Sequence, residues 1–121
     1  MEKPTVLIVE DDPQLNFIFS LSLDQDFQVV SMMNGELAVK YLEDHQPDII
    51  VLDLNLPGYS GRQILNYIKK QERLGCMRII MATADAATAD ELVGQVDLVL
   101  LKPISPSQLK SLANRLKTPD C

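Results

Sequence analysis

A doubly wound α/β fold, a five-stranded parallel sheet with helices on both faces, is predicted by three observations. Five short apolar runs punctuate the chain at 6–9, 27–30, 49–52, 78–82 and 98–101. Most are rich in Val, Ile and Leu without alternation, as strands covered on both faces are. Segments of helical spacing lie between them, so strand and helix alternate five times. A parallel sheet is the economical way to join such units.

The elements follow in order. "VLIV" (6–9) is the first strand, and it runs directly into Glu10, Asp11 and Asp12. Three adjacent carboxylates repel one another, more so when desolvated, and call for compensation. Asp12 is partly explained as a helix N-cap, with Pro13 at the first helical position. "FIFSLSL" (17–23) alternates from Phe19 onward as a strand would, but the cap decides for a helix with Leu15, Ile18, Phe19 and Ser22 on its core stripe. Phe17 and Leu21 are left on a neighbouring face. They read either as a broadened core face or as a self-association patch that would make a homodimer. "FQVV" (27–30) is the second strand, and Leu37, Ala38, Tyr41 and Leu42 stripe the second helix. The lone His45, in "EDHQPD", falls at the end of that helix as a solvated residue. "IIVL" (49–52) precedes a third helix striped by Ile64, Leu65 and Ile68; "RIIMA" (78–82) is the fourth strand and "LVLL" (98–101) the fifth. Leu109, Leu112, Ala113 and Leu116 then follow the i, i+3, i+4, i+7 rule of an amphipathic helix. Residues 1–121 read as one domain, with 117–121 a frayed tail.

Composition narrows the function. A chain of 121 residues with 46% hydrophobic and 23% charged residues is an ordinary globular domain. Its formal net charge of −6 argues against direct nucleic-acid binding, which needs clustered Lys and Arg, and suits protein partners or metal cations. Cys76 and Cys121 form no CxxC pair and have no His beside them, so neither a disulfide framework nor a zinc site is expected. Cys76 then reads as a half-buried thiol in a reducing compartment. There is no apolar run of membrane-spanning length and no signal-peptide pattern, which points to the cytoplasm and away from a membrane.

In an open parallel sheet, ligands gather outside the carboxyl ends of the strands. The residues at those ends are Glu10, Asp11 and Asp12 after the first strand, Asp53 after the third, Thr83 after the fourth, and Lys102 with Pro103 after the fifth. Taken singly, each has a plainer explanation as a cap, loop hydroxyl or surface turn. Their coincidence at four strand ends does not. With Asp12 occupied as a cap, Glu10, Asp11 and Asp53 form a cluster of hard oxygen ligands suited to Mg²⁺. Lys102 and Thr83 would bind phosphoryl oxygens by charge and by a hydroxyl hydrogen bond. Asp53 would serve as a nucleophile in phosphoryl transfer.

The segments "VLIVEDDP", "PDIIVLDLNLPGYSGRQIL", "RIIMATADA" and "LVLLKPIS" stand in an order and spacing that resembles the receiver domain of two-component response regulators, the CheY-like superfamily. The resemblance covers essentially the whole chain. It implies a flavodoxin-like (βα)5 three-layer sandwich with strand order 2-1-3-4-5. It implies that Asp53 is the phosphoacceptor, loaded by a histidine kinase or a histidine-phosphotransfer protein, and that Thr83 and Lys102 are the switch hydroxyl and the phosphate-binding amine. Mg²⁺ would be ligated directly by Asp11 and Asp53, through water by Glu10, and by the backbone carbonyl of Asn55. The Lys102–Pro103 bond is expected to be cis. Such a domain is a signalling switch rather than an enzyme, catalysing only its own phosphorylation and dephosphorylation. Phosphorylation would bias the 83–101 region and thereby the binding of a downstream protein or attached output domain. Two departures stand out. Val99 sits where receivers often carry an aromatic, and the segment between Thr83 and Lys102 is short, which trims the fourth helix or its loop. The altered face leaves a second reading, a phosphorylation-independent interaction module. A third, a Mg²⁺-dependent phosphohydrolase, is disfavoured because the position two residues after the nucleophile is Asn55 rather than an acid.

Overall fold

A computed structural model of the chain describes residues 3–117. The strands are β1 (Thr5–Val9), β2 (Gln28–Met32), β3 (Ile49–Asp53), β4 (Arg78–Thr83) and β5 (Leu98–Leu101). They alternate with helices α1 (Pro13–Leu23), α2 (Gly35–Asp44), α3 (Gly61–Lys69), α4 (Ala86–Leu92) and α5 (Pro106–Leu116), with one 3₁₀ turn at Glu72–Leu74. All neighbouring strands pair in parallel, in the order β2-β1-β3-β4-β5. This is the expected flavodoxin-like sheet.

Strand periodicity of two distributes each apolar run between two cores. Leu7, Val9, Ile50, Leu52, Ile79 and Met81 pack against α2, α3 and Leu92 of α4. Val6, Ile8, Ile49, Val51, Ile80 and Ala82 pack against Phe19 and Leu23 of α1 and Leu109 and Ala113 of α5. Each fully buried side chain of this size contributes about 1.5–3 kcal/mol. The three central strands are therefore held from both sides, and their carboxyl ends form one edge.

Helix starts are set by side chains, among them the cap that the sequence suggests at Asp12. Asp12 caps α1, its Oδ1 accepting from the amides of Gln14 (2.9 Å) and Leu15 (3.4 Å). Asn34 caps α2 and Ser60 caps α3, the latter in a reciprocal box with Gln63. Ser105 caps α5 ahead of Pro106. The short fourth helix is also present: α4 spans seven residues, capped by Asp85, and the chain turns back at Gly94 (φ 91°) into β5.

Three expectations need correction. The second strand lies at 28–32 rather than 27–30, with Phe27 buried just before it. In α1 the buried residues are Asn16, Phe19 and Leu23, while Ile18 is 40% exposed and Ser22 is half-buried, donating back to the Ile18 carbonyl. Phe17 and Leu21 are exposed, so no broadened core face exists. The helix is rotated from the expected stripe because a polar residue, Asn16, finds buried carbonyl partners. Cys76 is exposed rather than half-buried, and it is disulfide-bonded rather than a free thiol. Cys121 and the rest of the 118–121 tail lie outside the described residues. Among the described residues no helix is long and apolar enough to cross a membrane.

Candidate functional site

The carboxyl-end edge brings together residues from β1, β3, β4 and the β5–α5 connection. Glu10 follows β1 and Asp53 ends β3, and both are almost fully buried, 2% and 4% exposed. Asp11 is exposed beside them. Carboxylate oxygens of Glu10, Asp11 and Asp53 lie within 4.8 Å of one another. A lone cluster of this kind would be strained by repulsion, and Lys102 offsets it. Its Nζ donates to Glu10 Oε1 at 3.0 Å and sits 3.3 Å from Asp53 Oδ1.

Electrostatics follow from burial. Desolvation pushes the Glu10 carboxyl above its usual range and the Asp53 charge adds to this, against the lowering effect of the Asp12 amide and the Lys102 ammonium. For Lys102, burial alone would pull the amine down. The hydrogen bond to Glu10 and the charges of Asp53 and Glu10 outweigh it and hold the amine above its ordinary value. An all-oxygen donor set with one exposed and two buried carboxylates fits a small hard cation such as Mg²⁺, which keeps several of its waters.

Local backbone geometry holds these groups. The Asn55 amide donates to Asp53 Oδ1 at 3.2 Å, and the Leu54 amide donates to the Ala82 carbonyl at 2.9 Å, so β3 stays paired to β4 just past Asp53. Gly61 is required beneath this turn, because a Cβ there would lie 2.5 Å from the Asp53 carbonyl oxygen and 2.6 Å from Leu54 Cα. Gly58 takes a positive φ of 71°. Thr83 is fully buried, and its Oγ1 accepts from the Asp85 amide at 3.1 Å, leaving its own hydroxyl proton to donate. The Lys102 amide donates to the Thr83 carbonyl at 2.7 Å, and the Lys102–Pro103 peptide is cis.

The structure thus gathers Glu10, Asp11, Asp53 and Lys102 in direct proximity, with Asn55 and Thr83 at the adjoining turns. Asp12 stands apart as a cap, and His45 is exposed at the end of α2, its ring stacked on Tyr41. Sequence reasoning missed Asn16. Its i, i+3, i+7 spacing with Phe19 and Leu23 was the available signal that this polar residue faces inward.

Comparison with known proteins agrees with the geometry. The family model of the response regulator receiver domain matches residues 6–114. The chain is 33% identical over 109 residues to the transcriptional regulatory protein GltR of Pseudomonas aeruginosa, covering 87% of this chain and 45% of that protein. It therefore spans about half the length of the curated relatives it matches. Among solved structures, the signal receiver domain attributed to a LuxO repressor protein of Vibrio parahaemolyticus superposes with a TM-score of 0.83 at 30% identity, covering 95% of this chain and 91% of that one. The BeF3-activated receiver domain of DrrB gives a TM-score of 0.83 at 25% identity, over 94% and 97% of the two chains. By sheet order, by the residues at its strand ends and by these likenesses, the chain belongs to the response regulator receiver domain family of two-component signalling.

Proposed function

We propose that the chain is a phosphorylation-controlled switch in which Asp53 accepts a phosphoryl group. The observation that carries this reading is the position of the Lys102 ammonium between Glu10 and Asp53, next to three clustered carboxylates. An oxygen of the Asp53 carboxylate attacks phosphorus, forming an O–P bond as the bond to the donor breaks and the donor leaves with its electron pair. Receiver domains interact with histidine kinases or phosphotransfer proteins, and here a phosphohistidine of such a partner is the proposed donor. Lys102 would bind a phosphoryl oxygen by charge, and Thr83 would turn its free hydroxyl proton toward another. Asp11 and Asp53, with Glu10 through water and the Asn55 carbonyl, would hold Mg²⁺. When bound, the ion neutralises charge on the transferred group.

The output follows from the same contacts. Drawing Thr83 toward Asp53 shifts the loop that starts α4, and α4 and β5 form the surface that changes. A downstream protein, or an output domain in a longer chain, would read that surface. The test is labelling with acetyl phosphate in the presence of Mg²⁺ or of excess EDTA. One phosphoryl group per chain with Mg²⁺ and almost none with EDTA is expected. Labelling that ignores the metal would refute the role given to the acidic cluster.

A further inference from the structure

Among the described residues, four polar or charged side chains are buried: Glu10, Asn16, Asp53 and Thr83. Three belong to the candidate site. The fourth, Asn16, lies on α1 and touches none of the reacting groups, yet it is 6% exposed on a helix face otherwise filled by Phe19 and Leu23. Burying an amide there is costly unless it is fully paired.

Its partners show what it holds. One nitrogen, Asn16 Nδ2, donates to the Glu10 carbonyl at 3.0 Å and to the Met32 carbonyl at 3.1 Å. Its Oδ1 accepts from Ser20 Oγ at 3.4 Å. Met32 is the last residue of β2, and its carbonyl also accepts from the Glu10 amide at 3.1 Å. Asn16 therefore clamps the chain where β1 leaves the sheet. Glu10 is fixed at four points: its amide by Met32, its carbonyl by Asn16, Oε2 by the Asp12 amide at 3.1 Å, and Oε1 by Lys102.

The Glu10 carbonyl shares a planar peptide with the Asp11 amide, so fixing one fixes the start of the next residue. Asp11 is exposed and follows a strand end, where a free chain would swing. We infer that Asn16 is a positioning residue of the acidic site, setting the Glu10–Asp11 peptide so that the Asp11 carboxylate stays within reach of Asp53. This inference rests on the proposed function only in taking Mg²⁺ as the ligand whose binding that placement serves.

The test compares Asn16→Leu, which keeps the branched four-heavy-atom side chain but removes both donors, with Leu23→Ala, a core change on the same helix face. Two readouts are taken on protein shown to be folded by circular dichroism. The first is amide hydrogen exchange without metal. Asn16→Leu should lower protection of the Glu10 and Asp12 amides tenfold or more relative to the rest of β1, whereas Leu23→Ala should lower α1 and β1 together. The second is Mg²⁺ affinity by calorimetry, which should weaken at least fivefold in Asn16→Leu and less than twofold in Leu23→Ala. Unchanged relative exchange at Glu10 and Asp12 would overturn the inference. So would Mg²⁺ affinity equal to that of the unmodified protein, or equal weakening in Leu23→Ala. If the unmodified protein binds no Mg²⁺, the proposed function fails instead, and the exchange comparison still decides whether Asn16 holds the turn.

Discussion

Lys102 Nζ lies 3.0 Å from Glu10 Oε1, joining residues ninety-two positions apart and closing the edge of the sheet between β1 and β5. The ammonium occupies part of the negative field that a divalent cation would also use. Removing it should have opposite effects on the two ligands proposed for the site. Lys102→Ala should bind Mg²⁺ several-fold more tightly, because a competing positive charge is gone, yet accept a phosphoryl group more slowly. Calorimetry for the metal and stopped-time labelling for the phosphoryl group separate the two. Weaker Mg²⁺ binding in the variant would contradict the charge argument.

Asp12 stands next to the acidic pair but serves the helix. Asp12→Ala should cost about 1 kcal/mol of stability, the usual value of a lost N-cap, and leave Mg²⁺ affinity within twofold. Asp11→Ala should do the reverse, with little loss of stability and a large loss of Mg²⁺ binding. Denaturant melts and calorimetry on both variants check the pair of statements together. If Asp12 proves to be the stronger metal ligand, the register given to the acidic pair is wrong by one residue.

Gly61 tests how closely the site depends on packing beneath it. In Gly61→Ala the new methyl meets the Asp53 carbonyl and Leu54 Cα, both backbone atoms with little room to yield. A loss of about 1–3 kcal/mol is expected from overpacking, together with slower labelling at Asp53. A variant with unchanged melting and labelling would show that α3 can shift without disturbing β3.

The start of α4 should depend on pH. The Thr88 hydroxyl and the Ala87 amide hold the Asp85 carboxyl below its ordinary value. A carboxyl lowered in the folded state adds stability above its unfolded value near 3.8, and that stability is lost as pH falls through the lower, folded value. Exchange protection of the α4 amides should therefore drop below about pH 4. In Asp85→Ala the protection should be lower at neutral pH and lose this pH dependence. Identical pH profiles in the two proteins would remove Asp85 as the cap that matters.

Val99 pairs with Met81 across β4 and β5 and is half-buried against the core. Its β-branched side chain is stiff and small, so it has little to swing when Thr83 moves. Activation with beryllium fluoride should shift the amide resonances of Thr83 and residues 84–87 strongly while the Val99 methyl resonances move little. A large Val99 methyl shift with Thr83 unmoved would refute a change carried by the backbone.

Much of this was readable in the residues. The five apolar runs name the strands because each lies in a two-sided sheet, and the order of a parallel sheet then places every strand end on one edge. Glu10, Asp11, Asp53, Thr83 and Lys102 needed no further signal than their positions after those runs. What was not readable depends on partners distant in sequence. Asn16 is buried because the carbonyls of Glu10 and Met32 point at it, and Met32 belongs to another strand. That pairing rotates α1 and exposes Ile18, contrary to a stripe drawn from hydrophobicity alone, while Phe17 and Leu21 on the neighbouring face are exposed as well. Arg73, whose guanidinium reaches the Leu42 carbonyl at the end of α2, is another contact that spacing cannot show.

The measurement that bears most directly on the central claim is the site of phosphorylation. The protein is incubated with acetyl phosphate and Mg²⁺, reduced with borohydride to convert an acyl phosphate into homoserine, and mapped by peptide mass spectrometry. Homoserine at position 53 alone, and no phosphoryl gain in Asp53→Asn, is the predicted result. Equal labelling of Asp53→Asn, or homoserine at another aspartate or hydroxynorvaline at a glutamate in the unmodified protein, would contradict it.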